Sequence, residues 1–198
     1  MIDLSKVGSL RDLDDDSLSD ALEGIVSNGE LHHLESSVLR IVLQESFRRD
    51  DPDVVWNALE IVANRKDLKA TDLLLEAAQK QQEWSVAIFL IEQLFERSDD
   101  IDNDIFLRFL SSENGDQVRW MAARVLLIDG NVDDITKTQA IFDADSDILV
   151  RLNLAALLFL VLRNQSFFSF VQNHCNDLNL EIAKEARECK NLLMEHLS

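Results

Sequence analysis

The chain has 198 residues, 46% of them apolar, with one proline and five glycines, so it can pack a core and is a poor match to a disordered chain or a turn-rich all-β fold. Acidic residues outnumber basic ones by 37 to 19, and the formal charge of −18 repels nucleic-acid phosphates and anionic membrane surfaces. Cys175 and Cys189, the only cysteines, have no CxxC spacing and signal neither a disulfide framework nor a zinc site.

The opening segment, MIDLSKVGSLRDLDDD, is acidic and lacks the apolar stretch of a secretory leader, so a cytoplasmic location is expected. A first helix is predicted over about 17–27, ending at Asn28-Gly29. Its surroundings, 1–33, match nothing further along the chain and read as an N-terminal cap. From there the elements come in pairs, over 34–65, 66–97, 98–129, 130–163 and 164–198. The first helix of each pair is predicted near 34–48, 68–81, 102–112, 133–142 and 166–176. Asp72, Asp104, Asp134 and Ser166 precede apolar runs there, where a side-chain oxygen can accept from unpaired first-turn amides. Asp51-Pro52-Asp53 and Asp145-Ser146-Asp147 are the matching signals ahead of second helices.

The second helices keep a fixed register. Val54, Val86, Val118, Val150 and Ile182 follow one another at intervals of 32 residues. Four positions later stand Ala58, Leu90, Ala122, Leu154 and Ala186. Seven and eight positions later the series run Ile61, Gln93, Val125, Leu157, Cys189 and Val62, Leu94, Leu126, Leu158, Lys190. Offsets of 0, 4, 7 and 8 share one face of a helix, so each segment is an amphipathic helix of one repeat. The longest uninterrupted apolar run, Leu154 to Leu162, is nine residues, short of a membrane span. The fold predicted is all-α: a right-handed superhelix (a solenoid) of about five helix pairs behind an N-terminal capping helix, one domain over 1–198.

The segments DPDVVxxA at 51–58, GDQVRxxAA at 115–123 and DxxVRxxxA at 147–155 resemble the second helix of HEAT repeats, with their acidic turn, Val-Arg and following alanines. The resemblance covers roughly 34–196. Its units of 32 residues are short for that family, and Ala87 and Ala183 replace the arginine in two of them. In such arrays the arginine ties down an acidic turn, which implies a structural role for Arg119 and Arg151, with Asp116 and Asp147 as local partners.

Two positions past the valine the repeat carries Trp56, Ile88, Trp120 and Leu152; four further on it carries Glu60, Glu92, Arg124, Ala156 and Glu188. The first of these columns lies about 200° around the wheel from the valine, and the second lies beside it. The resemblance implies that they form the inner, concave surface. Aromatic rings beside carboxylates suit the anchors of a protein interface, so Trp56, Glu60, Ile88, Glu92, Trp120 and Arg124 are the candidate partner-binding residues. The competing reading buries both tryptophans between repeats.

The remaining chemistry is sparse. No acidic cluster has the ligand order of an EF-hand loop, and no HExxH, GxSxG, P-loop or GxGxxG occurs. His32-His33 and His174-Cys175 are sequence neighbours, which diverge on a helix and make neither a metal pair nor a thiol–base pair. No catalytic residue, metal or cofactor is expected. The sequence therefore predicts a non-enzymatic binding module for a basic protein partner; its charge and size are those of an inhibitor or an immunity protein that neutralises a toxin. The alternative implied by the resemblance is an enzyme on the same scaffold, akin to bilin lyases and isomerases with Glu60 or Glu92 as the acid. A DNA glycosylase, which needs a basic groove, is opposed by the charge. Assembly or chaperone adaptors are a further alternative.

Overall fold

Five helices begin at intervals of 32 residues, at Pro52, Trp84, Asp116, Ile148 and Leu180, each two residues before the aligned apolar position. They belong to a computed structural model that describes residues 12–28, 35–49, 51–65, 68–78, 84–97 and 103–198. Among the described residues there are eleven helices and no strand. The chain divides into two compact units, Met1–Asp100 and Ile101–Ser198, where the sequence alone suggests one domain.

The first unit holds α1 (Asp15–Asn28), α2 (Ser36–Arg49), α3 (Pro52–Ala63), α4 (Leu68–Ala78) and α5 (Trp84–Phe95). Helix α3 is its centre, packing on α1, α2, α4 and α5. The repeat positions explain why: Val54, Ala58, Ile61 and Val62 are all buried, as are Val86, Leu90 and Leu94 of α5. Leu18 and Leu22 of α1 complete the same core.

The second unit holds α6 (Asp104–Phe109), α7 (Asp116–Asp129), α8 (Ile135–Ala144), α9 (Ile148–Leu162), α10 (Gln165–His174) and α11 (Leu180–Leu197). Here α9 is central, packing on α7, α8, α10 and α11. It is buried on every side, with Leu152 through Leu158 all out of solvent, as expected of a helix that is apolar all round. Ala122, Leu126, Ala186 and Cys189 bring the repeat faces of α7 and α11 into the same core.

Helix starts show where local chemistry governs and where it does not. Asp51 accepts from the amides of Asp53 and Val54, both at 3.0 Å, with Pro52 at the first helical position. Asp134 accepts from Lys137 N at 2.9 Å. Asp147 accepts from Leu149 N at 2.7 Å and Val150 N at 3.0 Å. Three predicted capping residues are displaced. Asp72 lies inside α4, which begins at Leu68. Ser166 lies inside α10, whose cap is Asn164, accepting from Ser166 N at 3.0 Å. Asp104 is the first residue of α6 rather than its cap. That helix is also shorter than the predicted 102–112, since Asn114 Nδ2 takes the Phe109 carbonyl at 3.0 Å and the chain turns away. Gly29, His32 and His33 lie outside the described residues.

Candidate functional site: an aromatic and acidic helix face

On α3 the wheel positions not used by the core are Asp53, Trp56 and Glu60, with Asn57 at the edge. Two contacts fix what flanks this arc. Asn57 Nδ2 donates to Ser19 Oγ of α1 at 2.9 Å. On the other side Trp56 leans against Phe89 of α5, ring centroids 4.6 Å apart and planes tilted by 48°. The exposed arc of α1 next to Ser19 carries Asp16, Asp20 and Glu23. The outward arc of α5 beyond Phe89 carries exposed Glu92, half-buried Ile88 and exposed Trp84. Trp56 is 38% exposed and Trp84 55%, so a large apolar area stays in water on this unit.

Charge is sorted by helix. α1, α3 and α5 carry Asp15, Asp16, Asp20, Glu23, Asp53, Glu60 and Glu92, and no lysine or arginine. Basic groups come from outside these helices: Arg40 of α2 pairs with Glu76 of α4 at 2.8 Å, Arg49 of α2 reaches Asp15 at 2.7 Å, and Arg97, past the end of α5, donates to the Ala63 carbonyl at 2.6 Å. Asp16, Asp20, Glu23, Glu60 and Glu92 form no ion pair with a described residue. At the head of α1, hydrogen bonds from Ser17 hold the Asp14 carboxyl below its ordinary value. The result is a group of three helices whose own charged side chains are all acidic and which carry two exposed indoles.

The same columns do something else in the second unit. Trp120 Nε1 donates to Glu185 Oε1 of α11 at 3.0 Å. Arg124 bonds Glu185 at 3.2 Å and Glu188 at 3.0 Å. Asn153 Nδ2 of α9 donates to the same Glu185 oxygen at 2.6 Å. Trp120 and Arg124, two of the candidate partner-binding residues, hold α11 against α7 and α9. The physical reason is Glu185: a buried carboxylate needs donors, and these side chains provide them. Burial also pushes the Cys189 thiol up, with the Glu185 charge adding to the effect.

The two repeat arginines part company as well. Arg119 is buried; its Nε and Nη2 reach Asp145 at 2.8 and 3.1 Å, Nη2 also reaches Asp116 at 2.7 Å, and Nη1 donates to Asn114 O at 2.6 Å. Hydrogen bonding to Asp145, beyond the charge of both aspartates, raises its pKa against the cost of burial. Arg151 makes no such pair with a described residue. Its guanidinium lies 5.0 Å from the ring centres of both Phe142 and Phe170, and Asp147 caps α9 instead.

Sequence reasoning missed Trp84, Phe89, Asn153 and Glu185. A signal existed for the first, which stands four residues before Ile88 and so on the same helix face. Glu185 occupies the repeat position of Asn57 and Asn153, three past the aligned apolar residue, but nothing local marks it as buried. A shallow depression between α2 and α4, lined in part by Arg40, Gln44 and Glu76, meets none of the predicted site residues. Among the described residues no group of three or more His, Cys, Asp or Glu is placed to hold a metal ion, and no helix is long and apolar enough to cross a membrane. Comparison with family models, with curated proteins and with solved structures finds no match for this chain.

Proposed function

We propose that the chain is a non-enzymatic interaction module that binds a basic protein through the face formed by α1, α3 and α5. One observation carries the reading: seven carboxylates and no basic side chain on three neighbouring helices, around exposed Trp56 and Trp84. Carboxylates left without cations destabilise the free protein by mutual repulsion, and a cationic partner relieves it while gaining speed of association. Apolar rings in the middle supply the contact area that charge alone does not. The proposal includes a HEAT-like solenoid as the scaffold and a cytoplasmic setting. Inhibition of a basic enzyme or toxin is the form of action that best fits so small and so acidic a binder.

The test is capture from native extract on the immobilised chain, with partners identified and their binding remeasured on purified protein. The retained proteins should be basic, should elute as salt rises, and should be lost from a Trp56→Ala variant of unchanged circular dichroism. Retention of acidic or neutral partners, indifferent to salt and to Trp56, overturns the proposal. Trp120→Ala is the control for the second unit: it should lower stability while leaving partner binding intact, since that indole is engaged by Glu185.

A further inference from the structure

Resting on the reading above, we infer that the Trp56–Phe89 pair with Glu60 and Glu92 is a seat for an arginine side chain of the partner, presented on a basic, extended or loop segment. Trp56 and Glu60 are four residues apart on α3, so the carboxylate stands one turn along the same face as the indole. Ile88 and Glu92 repeat that spacing on α5. Phe89 props the indole from the α5 side at 4.6 Å with a 48° tilt, which fixes the ring while 38% of Trp56 remains open. A cation above an indole face is attracted by its quadrupole, and a carboxylate one turn away accepts the N–H groups that point outward.

Arginine fits this arrangement better than lysine. A planar guanidinium stacks on a ring and still directs donors sideways to two carboxylates, whereas an ammonium is a compact, strongly hydrated charge. The second unit contains both halves of the interaction in its own interior. Arg151 lies against two phenyl rings, and Arg124 beside Trp120 bonds the carboxylates of Glu185 and Glu188. On the first unit the indole and the carboxylates are present on α3 and α5 and the cation is missing, because these helices contain no arginine or lysine.

The experiment uses the full chain and two synthetic peptides of equal length and charge, one carrying arginines and the other lysines, each spaced by glycine and serine. Calorimetric titration at low salt should show the arginine peptide binding about three- to five-fold more tightly, the size of an exposed cation–π contact. Trp56→Leu, which keeps an apolar side chain and deletes the π face, should bring the two peptides to equal affinity. Glu60→Gln/Glu92→Gln should weaken both peptides together. Equal affinities for the wild-type chain, or a preference that survives in Trp56→Leu, overturn the arginine seat while the acidic-face reading stands. Binding of neither peptide, or binding unchanged in Glu60→Gln/Glu92→Gln, overturns both.

Discussion

Arg119 and Arg151 occupy one repeat position yet meet opposite surroundings, and the difference is measurable. Arg119 neutralises Asp145, whose side chain is only 6% exposed, so Arg119→Met leaves a buried carboxylate without its cation. We expect a loss of about 3–5 kcal/mol in urea unfolding. Arg151 stacks on Phe142 and Phe170, and its Nε is buried with no acceptor. Arg151→Met removes a cation–π contact but also an unsatisfied donor, so the change should stay within about 1 kcal/mol. The sequence shows the shared position of these two residues; it does not show that Asp145 turns toward one and that aromatic rings replace it beside the other. The same limit applies to Trp56 and Trp120. Identical wheel positions become an exposed ring and a tethered one because Glu185, 65 positions beyond Trp120, is brought against the second. Cys189 gives a pH test at this scale. Its pKa is raised on folding, so the folded chain holds that proton more tightly than the unfolded one. The contribution is fully present below the ordinary thiol value of 9.0 and is lost as pH rises above it. Unfolding free energy should therefore fall more steeply with alkaline pH in the wild type than in Cys189→Ala.

At the scale of the helix, the starts at Pro52 and Ile148 were legible because two signals coincide there: a residue able to cap or open a helix and the first member of the apolar repeat. The capping residues of α4 and α10 were not, because an acidic or hydroxyl side chain inside a helix looks the same on paper as one at its end, although the starts themselves lie where the apolar pattern places them. This distinction predicts different costs for similar substitutions. Asp147→Ala, which frees the amides of Leu149 and Val150, should cost about 1 kcal/mol, read as a lower urea midpoint. Asp72→Ala, in the exposed interior of α4, should be neutral or slightly stabilising by the same measurement, since alanine is the better helix former. The end of α7 is under tighter control. Gly130 has φ of 75°, and a Cβ there would meet His196 Cε1 at 2.7 Å. His196 bonds Leu127 O at 3.1 Å through Nε2, so α11 is clasped to the end of α7. Gly130→Ala should therefore exceed the ~1–2 kcal/mol of left-handed backbone strain alone, and its excess should vanish in a Gly130→Ala/His196→Ala double variant.

For the whole molecule, composition discloses a charge of −18 but not where it is concentrated. The location emerges only when helix limits and neighbours are known together: α3 packs on α1 and α5, and these are the helices without a basic residue. Such sorting works against stability, because interspersed charges of both signs would reduce repulsion at no cost to the core. A stability argument alone does not account for it, the proposed binding face would, and the two can be separated in one set of variants. Asp20→Asn/Glu23→Gln/Glu60→Gln/Glu92→Gln removes three exposed carboxylates and the half-buried one of Glu60, and touches no buried residue. Its melting temperature at low salt should lie above that of the wild type. The gap should close as salt rises toward 1 M, where the screening length falls to about 3 Å. Affinity for the basic partner or peptide should move the other way and drop most at low salt. Had the carboxylates served only to keep the chain soluble, the same variant would gain stability and lose no affinity. A gain in stability coupled to a loss in binding is the signature of charge placed for a partner.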